Sequence, residues 1–201
     1  MYIIMWRYEM ELLTQNSKLK KTSVTNGVKV YNFGIPAQST CLWADKCKKY
    51  CYASKGAYIW SNVKPAFERR LEATKQDNFP EVMIAEIVKR KIDVVRIHDS
   101  GDFYSREYIH KWFKIMESLP KVKFYAYSKS LPLFDGVKLP DNFTLIKSEG
   151  GKRDDMIDAK HDRHARIFKT EQELIAEGYA NASDNDLIAI GNNPKIGLLA
   201  H

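Results

Sequence analysis

Cysteine is nearly absent from this chain: three occur in 201 residues, Cys41, Cys47 and Cys51, all inside one eleven-residue window. An odd number cannot pair off internally, and so few exclude a disulfide-stapled secreted scaffold. Long apolar runs are missing as well. None approaches the roughly 20 residues that a bilayer-spanning helix needs. The opening MYIIMWRYEMELL has a short apolar stretch and then Glu9 and Glu11. It lacks the basic flank and small-residue cleavage site of a secretory signal. No repeat or low-complexity segment stands out, and at 44% hydrophobic residues the chain is too apolar to be disordered. These absences predict one globular domain over residues 1–201, cytoplasmic, with its thiols reduced.

Acid is scarce at one end only. Residues 1–75 carry 13 Lys or Arg against 5 Asp or Glu, whereas residues 76–201 carry 19 against 20. The whole excess behind the net charge of +7 therefore sits in the first 75 residues. Such a segment suits nucleic acid, an anionic small molecule or an anionic cofactor.

The patterning alternates between strand and helix. Gly27–Gly34 reads as the first core strand and runs into the cysteine loop, residues 41–51. Helical spacing covers Ser61–Gln76 and Phe79–Lys91. IDVVRI (92–97) reads as a short buried strand, followed by the loop HDSGDFYS. A helix capped by Ser105 extends to Ser118, with Tyr108, Ile109, Trp112, Phe113 and Met116 as its apolar stripe. Strands are expected at 122–127, 142–148, 164–168 and 186–190, with a helical turn near 130–135 and a helix at 170–178. This order predicts an α/β fold with five to seven mostly parallel strands, as an incomplete barrel or an open sheet. A closed eight-fold barrel takes about 250 residues. In either form chemistry belongs at the carboxyl ends of the strands, where the cysteine loop, HDSGD (98–102), YSKS (127–130) and SEGG (148–151) all fall.

Cys-x5-Cys-x3-Cys has neither the Cys-x2-Cys pairs nor the four ligands of a common structural zinc site. Three thiolates suit a four-iron cluster with one iron left open, and an open iron can bind a small molecule. Lys46, Lys48, Lys49 and Lys55 flank the thiols and offset an anionic cluster. Tyr50, Tyr52, Tyr58 and Trp60 stand ready to shield it. In HDSGD, Gly101 permits an unusual backbone angle, and Ser100 or Asp102 can accept a hydrogen bond from a ligand amine. The same residues also suit a plain strand-to-helix turn. Weaker candidates are the pair His161 and His164, the Ser148–Gly151 turn with Glu149, and Tyr127 with Lys129.

The cysteine loop, RIHDSGDFYS, KFYAYSKS and the terminal IGLLAH resemble a family of phage-encoded proteins known by a gene-product number, over residues from about Asn16 onward. The layout also resembles the radical S-adenosylmethionine (SAM) superfamily, whose partial barrel carries three cysteines after its first strand. That resemblance implies a [4Fe-4S] cluster on Cys41, Cys47 and Cys51, with SAM at the open iron. It places Tyr50 near the adenine and Ser100, Gly101 and Asp102 at the methionine amine. Ser148 takes the ribose or carboxylate, and His98 lies within the same cofactor-binding loop. The cysteine spacing here is longer than Cys-x3-Cys-x2-Cys, and Ser-Gly-Asp replaces Gly-Gly-Glu. The implied function is radical chemistry on an undefined substrate, with an external electron donor, no membrane association, and a host-cell cytoplasmic location. The alternative is a non-enzymatic iron–sulfur or zinc protein that uses the basic 1–75 segment on nucleic acid or transfers electrons.

Overall fold

The computed structural model describes residues 11–200. The expectation about a leader falls mostly on residues 1–10, outside that range. Seven strands form one sheet in the order β1-β2-β3-β4-β5-β7-β6, and every pairing is parallel. They are β1 (Val30–Phe33), β2 (Val94–Ile97), β3 (Lys123–Ser128), β4 (Phe143–Ser148), β5 (His164–Phe168), β6 (Ala180–Asn181) and β7 (Lys195–Leu199). The sheet curls into a half-barrel that stays open between β1 and β6. The incomplete-barrel expectation therefore holds. The helices are α1 (Ser17–Asn26), α2 (Lys64–Lys75), α3 (Phe79–Arg90), α4 (Arg106–Ser118), α5 (Leu131–Phe134) and α6 (Glu171–Ala176).

Local chemistry sets the helix ends. Ser105 accepts a hydrogen bond from Tyr108 N at 3.1 Å, which caps α4 as its sequence suggests. Thr170 and Glu173 close a reciprocal capping box on α6. Pro65 and Pro80 stand in the first turns of α2 and α3, where a missing N–H costs nothing.

Side chains alternate across the strands and build two cores. On the convex face, Phe33, Val95, Ile97, Phe124 and Phe143 meet Met83 and Ile87 of α3 and Tyr108, Trp112 and Met116 of α4. On the concave face, Val30, Val94, Tyr125, Ile146, Ala165 and Ile196 surround Leu19 of α1 and Ala189. Residues from α1 and from the 186–190 turn thus fill the amino-terminal half of the half-barrel.

Several segments depart from the sequence reading. Asp186–Ile190 is a 3-10 turn rather than a strand. Asn185 caps it through Leu187 N, and Asp186 turns inward to meet the half-buried cations Lys18 and Arg96. The last strand is instead Lys195–Leu199, where Gly197 admits Leu174; a Cβ there would overlap that side chain. Helix α2 begins at Lys64, not Ser61, because the chain from Gly56 to Ile59 is still winding as 3-10 turns. Helix α1 has no continuous apolar stripe and buries only Leu19 and Thr22, so periodicity does not reveal it.

Candidate functional site

The four polar loops after β1, β2, β3 and β4 meet at the carboxyl edge of the half-barrel. The cysteine loop leaves β1 and is pinned to the β4 loop. Asp45 N and Cys47 N both donate to Gly150 O, at 3.3 and 3.5 Å, and Lys152 N donates to Trp43 O at 2.8 Å. Ala44 and Gly151 form an antiparallel bridge. Gly150 adopts φ +91°, and a Cβ on Gly151 would come 3.1 Å from Trp43 O, so the paired glycines let the two loops lie backbone to backbone.

Cys41, Cys47 and Cys51 are free thiols of intermediate exposure. Burial, then the nearby Asp102 charge and the other two thiols, push the Cys41 thiol up to about 11. A metal that takes it as thiolate must displace that proton. Among the described residues no three His, Cys, Asp or Glu side chains are placed to hold a single ion. A lone zinc would need such convergence, whereas a cubane takes each thiolate on a separate iron. Lys46, Lys48, Lys49 and Lys55 are exposed around the loop. Trp60 is 60% exposed, while the side chain of Tyr50 lies outside the described atoms.

HDSGD is the knot that ties these loops together. Ser100 O accepts from Ile35 N at 3.0 Å, and Asp102 N donates to Thr40 Oγ1 at 3.3 Å. Gly101 stands at φ +82°, and a Cβ there would meet Ile35 Cγ1 at 2.5 Å and Ile35 O at 2.9 Å. The Asp102 carboxylate accepts from Ser128 Oγ at 2.7 Å, Lys129 N at 2.8 Å and Phe103 N at 2.8 Å. Burial raises its pKa against those three bonds. Three of about four acceptor positions are taken by the protein, so a ligand amine has one direction left.

His98 points the other way. Its backbone is left-handed at φ +65°, and its ring packs edge-on to Phe103 with centroids 4.6 Å apart, on the convex side. Nε2 meets the Tyr108 hydroxyl at 2.9 Å. Burial pushes the imidazole down to about 3, so it is neutral. Ser148 is held by Lys129 Nζ at 2.7 Å. Glu149 pairs with Arg166 at 2.8 Å. His161 and His164 do not come together as ligands. His161 is exposed and pairs with Asp158, and buried His164 bonds Asp162 O and the Tyr179 hydroxyl.

Sequence reasoning missed the concave wall below these loops. Asp186, 0% exposed, accepts from Lys18 Nζ at 2.6 Å, from Arg96 Nη1 at 2.9 Å and from the Tyr125 hydroxyl. Burial opposes its ionisation, and the Arg96 and Lys18 charges outweigh that, holding the carboxyl below its usual range. Arg96 is half-buried; desolvation disfavours its charge, and the pairing with Asp186 overrides that and keeps it charged. Asp99 follows on the same wall. Its Oδ1 takes the space where a Gly34 Cβ would stand, its carbonyl accepts from the Tyr52 hydroxyl, and Tyr58 reaches Oδ2 at 3.5 Å. Tyr52 leaves 45% of its surface exposed while that hydroxyl is buried, and burial pushes its pKa up to about 12. The signal available in the sequence was Arg96, the one charge within the apolar strand residues VVRI (94–97).

Fold and site together define a class: a parallel half-barrel with a three-cysteine loop and a polar concave wall at its carboxyl edge. The sequence profile of the Gene product 88 family matches residues 10–201, so the chain belongs to that family. It is similar to the Gene 88 protein of Mycobacterium phage L5, 31% identical over 94 residues covering 41% of this chain and 39% of that protein. The Gene 88 protein of Mycobacterium phage D29 is 27% identical over 94 residues, with the same coverage. The similarity thus spans well under half the length of these relatives. No solved structure matches the chain.

Proposed function

We propose that Cys41, Cys47 and Cys51 hold a [4Fe-4S] cluster with one open iron, and that SAM binds there for radical chemistry on a separate substrate. The observation that carries this reading is the position of the three free thiols, gathered at the carboxyl edge of a parallel half-barrel above a buried polar wall. When bound, such a cluster supplies the single electron that cleaves SAM reductively.

The chain's own residues have distinct tasks in this proposal. The Gly150–Gly151 turn pins the backbone of the cysteine loop at Ala44, Asp45 and Cys47. Asp102 holds the β2 and β3 loops in place and offers its remaining lone pair, with Ser100, to the methionine amine. Ser148, oriented by Lys129, is offered to the ribose or carboxylate, and Tyr50 to the adenine. The exposed lysines balance cluster charge and face an external electron donor. The phage origin of the relatives supports a phage gene product working in the host cytoplasm.

The test is anaerobic reconstitution, with iron and sulfide analysis and electron paramagnetic resonance of the reduced protein with and without SAM. Supporting results are about four iron and four sulfide per chain, a spectrum that changes with SAM, and formation of 5′-deoxyadenosine. Zinc in place of iron, or a cluster spectrum indifferent to SAM, overturns the enzymatic reading. The second reading, a cluster-stapled protein that binds nucleic acid, draws on the exposed Lys46, Lys48, Lys49 and Lys55 beside exposed Trp60. It requires salt-dependent binding of DNA or RNA without SAM affinity.

A further inference from the structure

Four buried polar atoms on or beside the concave wall have no hydrogen-bond partner among the described residues: Asn32 Oδ1, Arg96 Nε, Asp99 Oδ1 and the Tyr127 hydroxyl, although the Asn32 side chain lies close enough to Asp99 to favour its charged form against burial. They belong to one neighbourhood. Asn32 and Arg96 are direct cross-strand partners on β1 and β2. The Arg96 guanidinium lies 5.3 Å from the centre of the Tyr127 ring on β3. The Asp99 carboxylate covers Gly34, which lies two residues beyond Asn32 on the same face of β1. Asn32 is 2% exposed and Asp99 6%. Native folds pair nearly all buried polar groups, so four open atoms on one wall call for a partner from outside.

Their chemistry restricts that partner. Asn32 and Asp99 present acceptors, Arg96 presents an N–H, and the tyrosine hydroxyl serves either way. A simple cation would face the fixed charge of Arg96, and a simple anion would face Asp99. A planar edge carrying an N–H beside a carbonyl or ring nitrogen satisfies both kinds of atom. Asn, Asp and Arg are the side chains that read base edges, and enzymes acting on a base read it by such bonds in a pocket with aromatic walls. The segment above the wall, residues 41–67, carries five lysines and one acid, Asp45, which suits phosphate.

We infer that the concave wall binds a nucleobase, with its edge on Asn32, Arg96, Asp99 and Tyr127 and its phosphate toward the lysines of the cysteine loop. That this base is the substrate rests on the radical-chemistry reading above; that it binds does not.

The experiment is calorimetric titration of the full chain, with and without its reconstituted cluster, using AMP, GMP, CMP and UMP, and ribose 5-phosphate as a base-free control. The expected result is binding of at least one nucleotide in both forms of the protein and far weaker binding of ribose 5-phosphate. Tyr127→Phe and Asn32→Leu each remove an unpartnered atom. Each is expected to weaken nucleotide binding by about five- to tenfold while leaving the melting temperature of the ligand-free protein unchanged or raised. Equal binding of ribose 5-phosphate, or no nucleotide binding in either form, overturns the inference. So does a lowered melting temperature with unchanged affinity, since the open atoms then hold ordered water only. Adenine-only binding that SAM displaces also overturns it, because the wall is then part of the SAM site. A protein that takes up no iron yet binds nucleotide leaves this inference standing and removes the radical-chemistry reading alone.

Discussion

Replacing Asp186 by alanine removes the carboxylate that pairs with Lys18 and Arg96 at the floor of the concave wall. Its oxygens meet Lys18 Nζ at 2.6 Å, Arg96 Nη1 at 2.9 Å and the buried Tyr125 hydroxyl. Taking one partner from a buried ion pair costs about 3–5 kcal/mol, because the other charge stays desolvated. The Tyr125 hydroxyl loses its acceptor in the same step, worth about 1–3 kcal/mol. The terms share one site and overlap, and the Lys18 side chain is 25% exposed, so water screens part of its share. An overall loss of about 4–6 kcal/mol follows, a large fraction of the roughly 5–15 kcal/mol by which a domain is stable. Equilibrium urea unfolding, followed by tryptophan fluorescence with Trp112 in the convex core, reads this as a lowered midpoint. The double variant Asp186→Leu/Arg96→Met removes the Arg96–Asp186 pair, leaves partly exposed Lys18 to water and the Tyr125 hydroxyl without its acceptor, and should recover part of the loss. Acid gives a second check. The folded carboxyl is held below its ordinary value, so its contribution is complete above about pH 4 and disappears as the pH falls through the folded pKa. The gap between wild type and variant should narrow there. A single-variant loss below about 1 kcal/mol, or a double variant no better than the single, refutes the reasoning.

Other outcomes follow from the loops above that floor. Replacing Cys41, Cys47 or Cys51 by alanine should abolish iron and sulfide uptake on reconstitution, while near-ultraviolet circular dichroism of the apoprotein stays unchanged, since no disulfide is lost. Gly101→Ala should cost about 2–4 kcal/mol in urea unfolding, because φ +82° disfavours a side chain and the new methyl meets Ile35 backbone and side chain; a loss within experimental error would mean the loop after β1 is not tied there. His98 is held neutral by burial and its folded pKa is pushed down to about 3. The unfolded imidazole takes a proton near pH 6.5, so this stability is full above that pH and is lost progressively as the pH falls toward 3. Between pH 6.5 and 4.5 the loss should reach about 2–3 kcal/mol, and His98→Gln should flatten that part of the profile. A wild-type histidine resonance titrating near 6.5 at this position contradicts the burial argument.

Patterns that repeat locally were legible in the residues. The alternation of short apolar strands with amphipathic helices set a parallel α/β fold, and the limited length left the barrel incomplete. Ser105 announced the start of α4, and three thiols in one loop with four polar strand-end loops marked the edge where a site belongs. Longer-range properties were not legible. DLIAI has the composition of a strand, yet Asp186 is drawn inward by Arg96 and Lys18, residues 90 and 168 positions away, and the segment winds into a turn. Ser-Gly-Asp looks like a ligand-binding loop in sequence, but the tertiary structure gives Asp102 three protein donors and leaves the unpartnered oxygen on Asp99. Sequence spacing fixes which face of an element a residue occupies, because that depends on backbone geometry alone. Whether a buried polar atom is already satisfied depends on which distant loop closes over it, and only the assembled half-barrel decides that.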